Sequence, residues 1–177
     1  MPKQIILITG GARSGKSKYA EERAAGLGPR RLYVATAEAK DDEMAHRIAA
    51  HQKRRGSAWT TVEEPVQLAE TLLAGGGRTD CALVDCLTLW LSNLILRDDE
   101  SVEEKIENLV QTLPRLDFSV VFVTNEVGAG IVPDNPLARR FRDLAGWTNQ
   151  RLAALAHEVV LMVAGIPMII KKDARCS

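Results

Sequence analysis

Residues Ile5 to Ser17 read I-I-L-I-T-G-G-A-R-S-G-K-S, an apolar run that leads at once into Gly10, four residues, and then Gly15-Lys16-Ser17. This is the G-x-x-x-x-G-K-[ST] spacing of a phosphate-binding loop, in the setting it needs: a strand before and a helix after. Gly10, Gly11 and Gly15 let the backbone wrap tightly and point N–H groups inward, with Ala12, Arg13 and Ser14 completing the turn. The following helix adds the positive end of its dipole. Lys16 supplies a point charge to the outer phosphates, and the Ser17 hydroxyl suits Mg²⁺. A chain opening this way is expected to bind a nucleoside triphosphate on an α/β sheet. The motif alone does not say what is done with it.

The rest of the chain agrees with such a sheet. Gln4–Thr9, Arg31–Ala37, Cys81–Asp85 and Phe118–Thr124 read as strands, and Trp59–Glu64 as extended. Helices are predicted over Lys16–Leu27, Asp41–Arg55, Pro65–Ala74, Leu87–Leu96, Ser101–Leu113 and Leu137–His157, with Ser101 and Glu104 as a capping box. Glu158–Val163 and Ile166–Lys171 follow as a hairpin through Ala164-Gly165. Alternation of strands and helices implies a mostly parallel sheet flanked by helices, with ligands beyond the C-terminal strand ends. One domain is expected over residues 1–172, with 173–177 a frayed tail.

Composition narrows the partners. Lys+Arg and Asp+Glu are both 23, so bulk electrostatic binding to nucleic acid is not expected. No apolar segment approaches membrane-spanning length, and the apolar run after Met-Pro-Lys-Gln is too short for a secretory leader. Cys81, Cys86 and Cys176 are odd in number and lack metal-ligand spacing, which suggests a reducing cytoplasm.

Several polar residues stand where chemistry is expected. Asp85 closes an apolar strand, where phosphate-loop proteins place an acid that holds Mg²⁺; a strand-ending Asp is also a common turn former, but the phosphate loop Gly10–Ser17 favours the Mg²⁺ role. Arg47, His51, Arg54 and Arg55 share one face of the predicted helix Asp41–Arg55. Such a face is often simply solvated. Nearby cations, however, disfavour an imidazolium, so His51 is expected to be neutral near pH 7 and able to attack a phosphorus that those cations bind. His46 points elsewhere and reads as surface; His157 reads as helix-terminal. Glu63 and Glu64 suit a sugar hydroxyl or a metal, or form a solvated acidic turn. Asn125 and Glu126 leave the fourth core strand at the ligand-facing edge, on a loop with Gly128 and Gly130 that reads as a site loop.

These segments together resemble a known family. G-G-A-R-S-G-K-S, Y-V-A-T-A, D-D-E-M-A-x-R-I-x-x-H, W-x-T-V-E-E-P, V-D-C-L-T-L-W-L-S-N, V-T-N-E-V-G-x-G-I-V-P and F-R-D-x-A-G-x-x-N-Q-R-L-A are similar to the bifunctional adenosylcobinamide kinase / adenosylcobinamide-phosphate guanylyltransferase of cobalamin biosynthesis. The match spans about residues 5–171, and its later segments are more specific than the phosphate loop. The resemblance implies a RecA-like domain and two reactions. ATP or GTP phosphorylates the aminopropanol hydroxyl of adenosylcobinamide. GTP then transfers GMP to that phosphate through a GMP–histidine, releasing pyrophosphate and leaving adenosylcobinamide-GDP. The matching histidine here is His51, beside Ala50 where some relatives carry a second histidine. Resemblance also implies nucleotide contacts at Gly10–Ser17, Ala35, Thr36, Ala37, Gln52, Lys53, Arg54, Arg55, Glu63 and Asp85, and a homo-oligomer, with trimers among the family's forms.

Two other readings compete. A single-function kinase for another small alcohol would use His51 only as a phosphate contact. A GTP-dependent binding module would need a guanine-reading N-K-x-D, which the sequence lacks.

Overall fold

The computed structural model describes residues 2–38, 58–97 and 101–173. The predicted helix Asp41–Arg55, with His46, His51 and Gln52–Arg55, lies outside the described residues, as does the tail from 174 on.

Seven strands form one sheet in the order β3-β2-β4-β5-β1-β6-β7. They are β1 Ile5–Gly10, β2 Arg31–Ala35, β3 Trp59–Glu63, β4 Cys81–Asp85, β5 Ser119–Val123, β6 Glu158–Val163 and β7 Ile166–Lys172. β1 to β6 run parallel, and β7 returns antiparallel along β6. The helices described are α1 Lys16–Ala25, α2 Leu68–Ala74, α3 Leu87–Leu96, α4 Val102–Thr112 and α5 Pro136–Leu155.

The central strands are apolar through their middles because both sheet faces are covered. Ile5, Leu7, Val34, Val84, Val120 and Phe122 pack with Leu72 of α2, Trp90 of α3, Ile106 of α4 and Leu152 of α5. Ile6, Ile8, Leu83, Val121 and Val160 face the other way, toward Ala20 and Ala24 of α1. The small side chains of α1 let it lie close under the sheet, so its N-terminus is fixed at the end of β1.

Three expectations need adjustment. The extended segment at Trp59 is a full strand, paired in parallel register with β2. The helix expected from Pro65 begins only at Leu68. Before it, Glu64 Oε1 accepts from the Val66 and Gln67 amides at 2.8 and 2.7 Å, while Trp90 Nε1 donates to Val66 O at 2.9 Å. These bonds satisfy the backbone in a turn and postpone the helix. Ser101 does stand at the N-cap of α4, but its side chain makes no capping bond. Its φ, ψ of −97°, 19° are not the extended conformation a capping hydroxyl needs.

Candidate active site

The parallel register places the predicted site residues on one line. Glu63 is paired with Ala35, Ala35 with Asp85, Asp85 with Val123, and Val123 with Ile8. Gly10 and Asn125 each lie two residues beyond this line on neighbouring strands. Gly10–Ser17, Ala35–Ala37, Glu63, Asp85, Asn125 and Glu126 therefore all gather at the C-terminal edge of the sheet. His51 and Gln52–Arg55 cannot be placed with them, being outside the described residues.

The phosphate loop is held in a shape few sequences permit. Gly10 has φ +145°, and a Cβ there would lie 2.5 Å from the Met162 carbonyl oxygen. Gly15 has φ +94°, and Arg13 takes the left-handed region at 55°. Alternation of this kind turns successive N–H groups to one side and makes an anion-binding concavity, with α1 behind it. The loop's own carbonyls are tied down from outside. Glu126 N donates to Gly10 O, and Gly165 N in the β6–β7 turn donates to Ser14 O, both at 3.1 Å.

Lys16 is buried to 7 % exposure, unusual for a lysine, and its Nζ donates to Gly11 O at 2.5 Å, with Ser14 Oγ at 3.4 Å. Burial pulls its pKa below the ordinary lysine value, an effect opposed by Cys86 and Asp85. A polyphosphate entering the loop would supply the counter-charge this ammonium lacks.

Asp85 ends β4, and the buried Tyr33 hydroxyl donates to its Oδ2 at 2.8 Å. That bond orients the carboxylate and leaves the other oxygen for the site. No group of three or more His, Cys, Asp or Glu side chains that could hold a metal occurs among the described residues. One carboxylate and one hydroxyl, Asp85 and Ser17, are a poor cage for a metal by themselves. They fit Mg²⁺, which keeps several waters and takes its remaining oxygens from substrate phosphates.

Thr36 has a structural role of its own. It is fully buried; its hydroxyl donates to Cys86 O at 2.7 Å and accepts from Cys86 N at 2.8 Å. Its N–H donates to Asp85 O, and its carbonyl accepts from Asn93 Nδ2. Thr36 thus locks the ends of β2 and β4 together, and Asp85 with them.

Asn125 Nδ2 donates to Thr88 Oγ1 at 2.9 Å, and Thr88 Oγ1 lies 3.1 Å from Cys86 Sγ. The loop after β5 is so fastened to the start of α3. Glu126 is exposed, and its Oε1 accepts from Gly128 N at 2.6 Å. Sequence reasoning missed Tyr33, Thr88 and Asn93. Tyr33 carried the available signal: a hydroxyl in an otherwise apolar strand, two residues from the strand's ligand-facing end.

Known proteins resemble this chain over most of its length. Residues 6–170 match the family model described as cobinamide kinase / cobinamide phosphate guanyltransferase. The bifunctional adenosylcobalamin biosynthesis protein CobP of Pseudomonas aeruginosa is 48 % identical over 168 residues, covering 94 % of this chain and 97 % of the relative. The corresponding CobU protein of Salmonella typhimurium is 44 % identical, covering 94 % and 99 %. Among solved structures, the flagellar accessory protein FlaH of Methanocaldococcus jannaschii has a TM-score of 0.53 at 12 % identity, covering 96 % of this chain and 79 % of that one. The RadB recombinase gives 0.52 at 13 % identity, covering 89 % and 73 %. These two likenesses show the fold, a RecA-like phosphate-loop domain.

Proposed function

The chain belongs to the cobinamide kinase / cobinamide phosphate guanyltransferase family and is a bifunctional enzyme of adenosylcobalamin biosynthesis; on that premise we propose that one nucleotide cradle serves both reactions. The observation that carries this is the single row of Glu63, Ala35 and Asp85 beside a phosphate loop whose lysine is buried.

In the kinase step, the aminopropanol hydroxyl of adenosylcobinamide attacks the γ-phosphorus of ATP or GTP. The O–P bond forms as the β–γ bridge breaks, and the hydroxyl proton passes to solvent. Little covalent work falls to the protein, so positioning and charge neutralisation dominate. The loop amides from Gly11 to Ser17 and the Lys16 ammonium hold the phosphates. Ser17 and Asp85 would hold Mg²⁺, which neutralises charge on the phosphate oxygens when bound. Ala35, Ala37 and Glu63 border the nucleoside, and Thr36 keeps that border rigid.

In the guanylyl step, the neutral His51 imidazole attacks the α-phosphorus of GTP, pyrophosphate leaves, and the acceptor's phosphate then displaces the histidine. Gln52, Lys53, Arg54 and Arg55 flank the nucleophile and would steady the phosphates. Asn125 and Glu126 stand on the acceptor side.

Incubation with α-labelled GTP tests this. Acid-labile, base-stable label is expected on the unaltered protein and absent from His51→Ala, which keeps the kinase step. Lys16→Ala is expected to lower kcat/KM of both steps by roughly 100-fold or more, the scale of losing one preorganised electrostatic contact. No label, with His51→Ala fully active in both steps, would leave a kinase with another route to transfer.

Free, buried Cys81 and Cys86 support a reducing cytoplasm as its place of work. No helix among the described residues is long and apolar enough to cross a membrane. Self-association is part of the same reading. β7 is an edge strand whose Ile166, Met168, Ile169 and Ile170 are 53–66 % exposed. A strand apolar on both faces reads as one meant to be covered.

A further inference from the structure

We propose that the exposed apolar residues Ile131 and Val132, on the segment leading into α5, together with the hollow that Leu137 and Leu96 line, are the platform on which the corrin ring of the acceptor docks; this rests on the family reading above. Ile131 is 98 % exposed, and Val132 and Leu96 are each 60 % exposed. Large apolar side chains left exposed on a loop at the ligand-facing edge of such a sheet are candidates for a binding surface.

Three observations point to the acceptor. The first is continuity with the nucleotide cradle. The segment carrying Ile131 leaves β5 at the ligand-facing edge and is bonded to the phosphate loop by Glu126 N donating to Gly10 O. The second is that the segment is held open. Arg142 Nη2 donates to Gly128 O at 2.8 Å, and Arg139 Nη1 donates to Pro133 O and Asp134 O at 2.9 and 2.6 Å. Asn135 then caps α5. Carbonyls on both sides of Ile131 are thus fixed from the α5 side, so the apolar tip is presented to solvent on a rigid base. The third is shape. The segment that carries Ile131 and Val132 runs on into Asn135 and Leu137, which with Ser92, Ile95, Leu96 and Phe141 line a shallow hollow of about 200 Å³ between α3 and α5.

A corrinoid matches that chemistry. It is a broad plate rimmed by methyl groups and carboxamides, with the adenosyl group on one face; it is too large for the hollow but suited to lying with its other face across the tip and one peripheral arm in the hollow. The aminopropanol arm would then reach toward the phosphate loop. The β7 face fits an acceptor less well. Its residues run away from the loop toward Lys172, along a strand edge that suits another strand.

The test is the double variant Ile131→Ser with Val132→Ser. Equilibrium dialysis with adenosylcobinamide, read by the corrinoid's own visible absorption, is expected to show affinity at least tenfold weaker. The corrinoid KM of the kinase reaction should rise in step, with the nucleotide KM within twofold and the sedimentation coefficient unchanged. Unchanged corrinoid affinity overturns the platform while leaving the family reading intact. A changed oligomeric state also overturns it, assigning the face to a second copy. If the unaltered protein neither binds nor phosphorylates the corrinoid, the reading of function fails first and the platform with it.

Discussion

Cys81 opens a central strand with its thiol fully buried, and burial raises its pKa from 9.0 to about 12. In the unfolded chain the thiol ionises near its ordinary value; in the fold it keeps its proton. The folded state therefore binds more protons between those two values, and stability must fall as pH climbs through that window. The contribution is complete below about pH 9. Cys86, pushed up by burial and by Asp85, acts in the same direction. Iodoacetamide at pH 8 should leave Cys81 and Cys86 unmodified in the native protein and alkylate both in denaturant, as read by peptide mass. Labelling of native Cys81 at the denatured rate would contradict the burial on which this rests.

At the scale of the element, α5 shows how local chemistry sets a boundary. Asn135 takes the extended N-cap conformation, φ −77° and ψ 125°, and its Oδ1 accepts from Leu137 N and Ala138 N. Pro136 follows in the first turn, where its missing N–H costs nothing. Asn135→Ala should lower unfolding free energy by about 1 kcal/mol in urea titrations, with a larger share of the effect in the adjoining loop's amide exchange. An unchanged midpoint would mean that Arg139 and Arg142 already fix the helix start alone. This boundary was nearly legible in advance, because Asn-Pro before a periodic run is a local signal. α3 was legible to the residue for a similar reason, being too long and too apolar for a strand. At the start of α2 the local bonds of Glu64 are joined by distant side chains. Asn93 and Trp90 reach from α3 to bond the Pro65 and Val66 carbonyls, and nothing near Pro65 announces that.

For the molecule as a whole, the strand order could not be read from the chain. β1 lies between β5 and β6, which come from much later in the sequence. Which residues converge was nevertheless readable, because a parallel sheet sends every strand-to-helix loop to one edge. The gathering of Gly10–Ser17, Ala35, Glu63 and Asp85 at one edge thus followed from topology class, while the scaffolding by Tyr33, Thr36 and Thr88 needed the register. The open side of the sheet carries its own expectation. β7 is held to the body by Lys171, whose Nζ donates to Ala153 O and Ala154 O at 3.0 and 3.1 Å. Its apolar side chains remain uncovered. If they are buried by further copies, Ile169→Lys should shift the sedimenting species toward the monomer with little change in thermal midpoint, since Ile169 is 56 % exposed. An unaltered mass would remove β7 from the assembly.

The bonds from Glu126 and Gly165 to the phosphate loop, and the contact of Gly10 with Met162, join the beginning of the polypeptide to its far half. On the ribosome, the glycine-rich turn emerges first and waits for its braces. Stalled nascent chains should retain GTP only after residue 165 has cleared the exit tunnel, so nucleotide arrives too late to guide the early stages of folding.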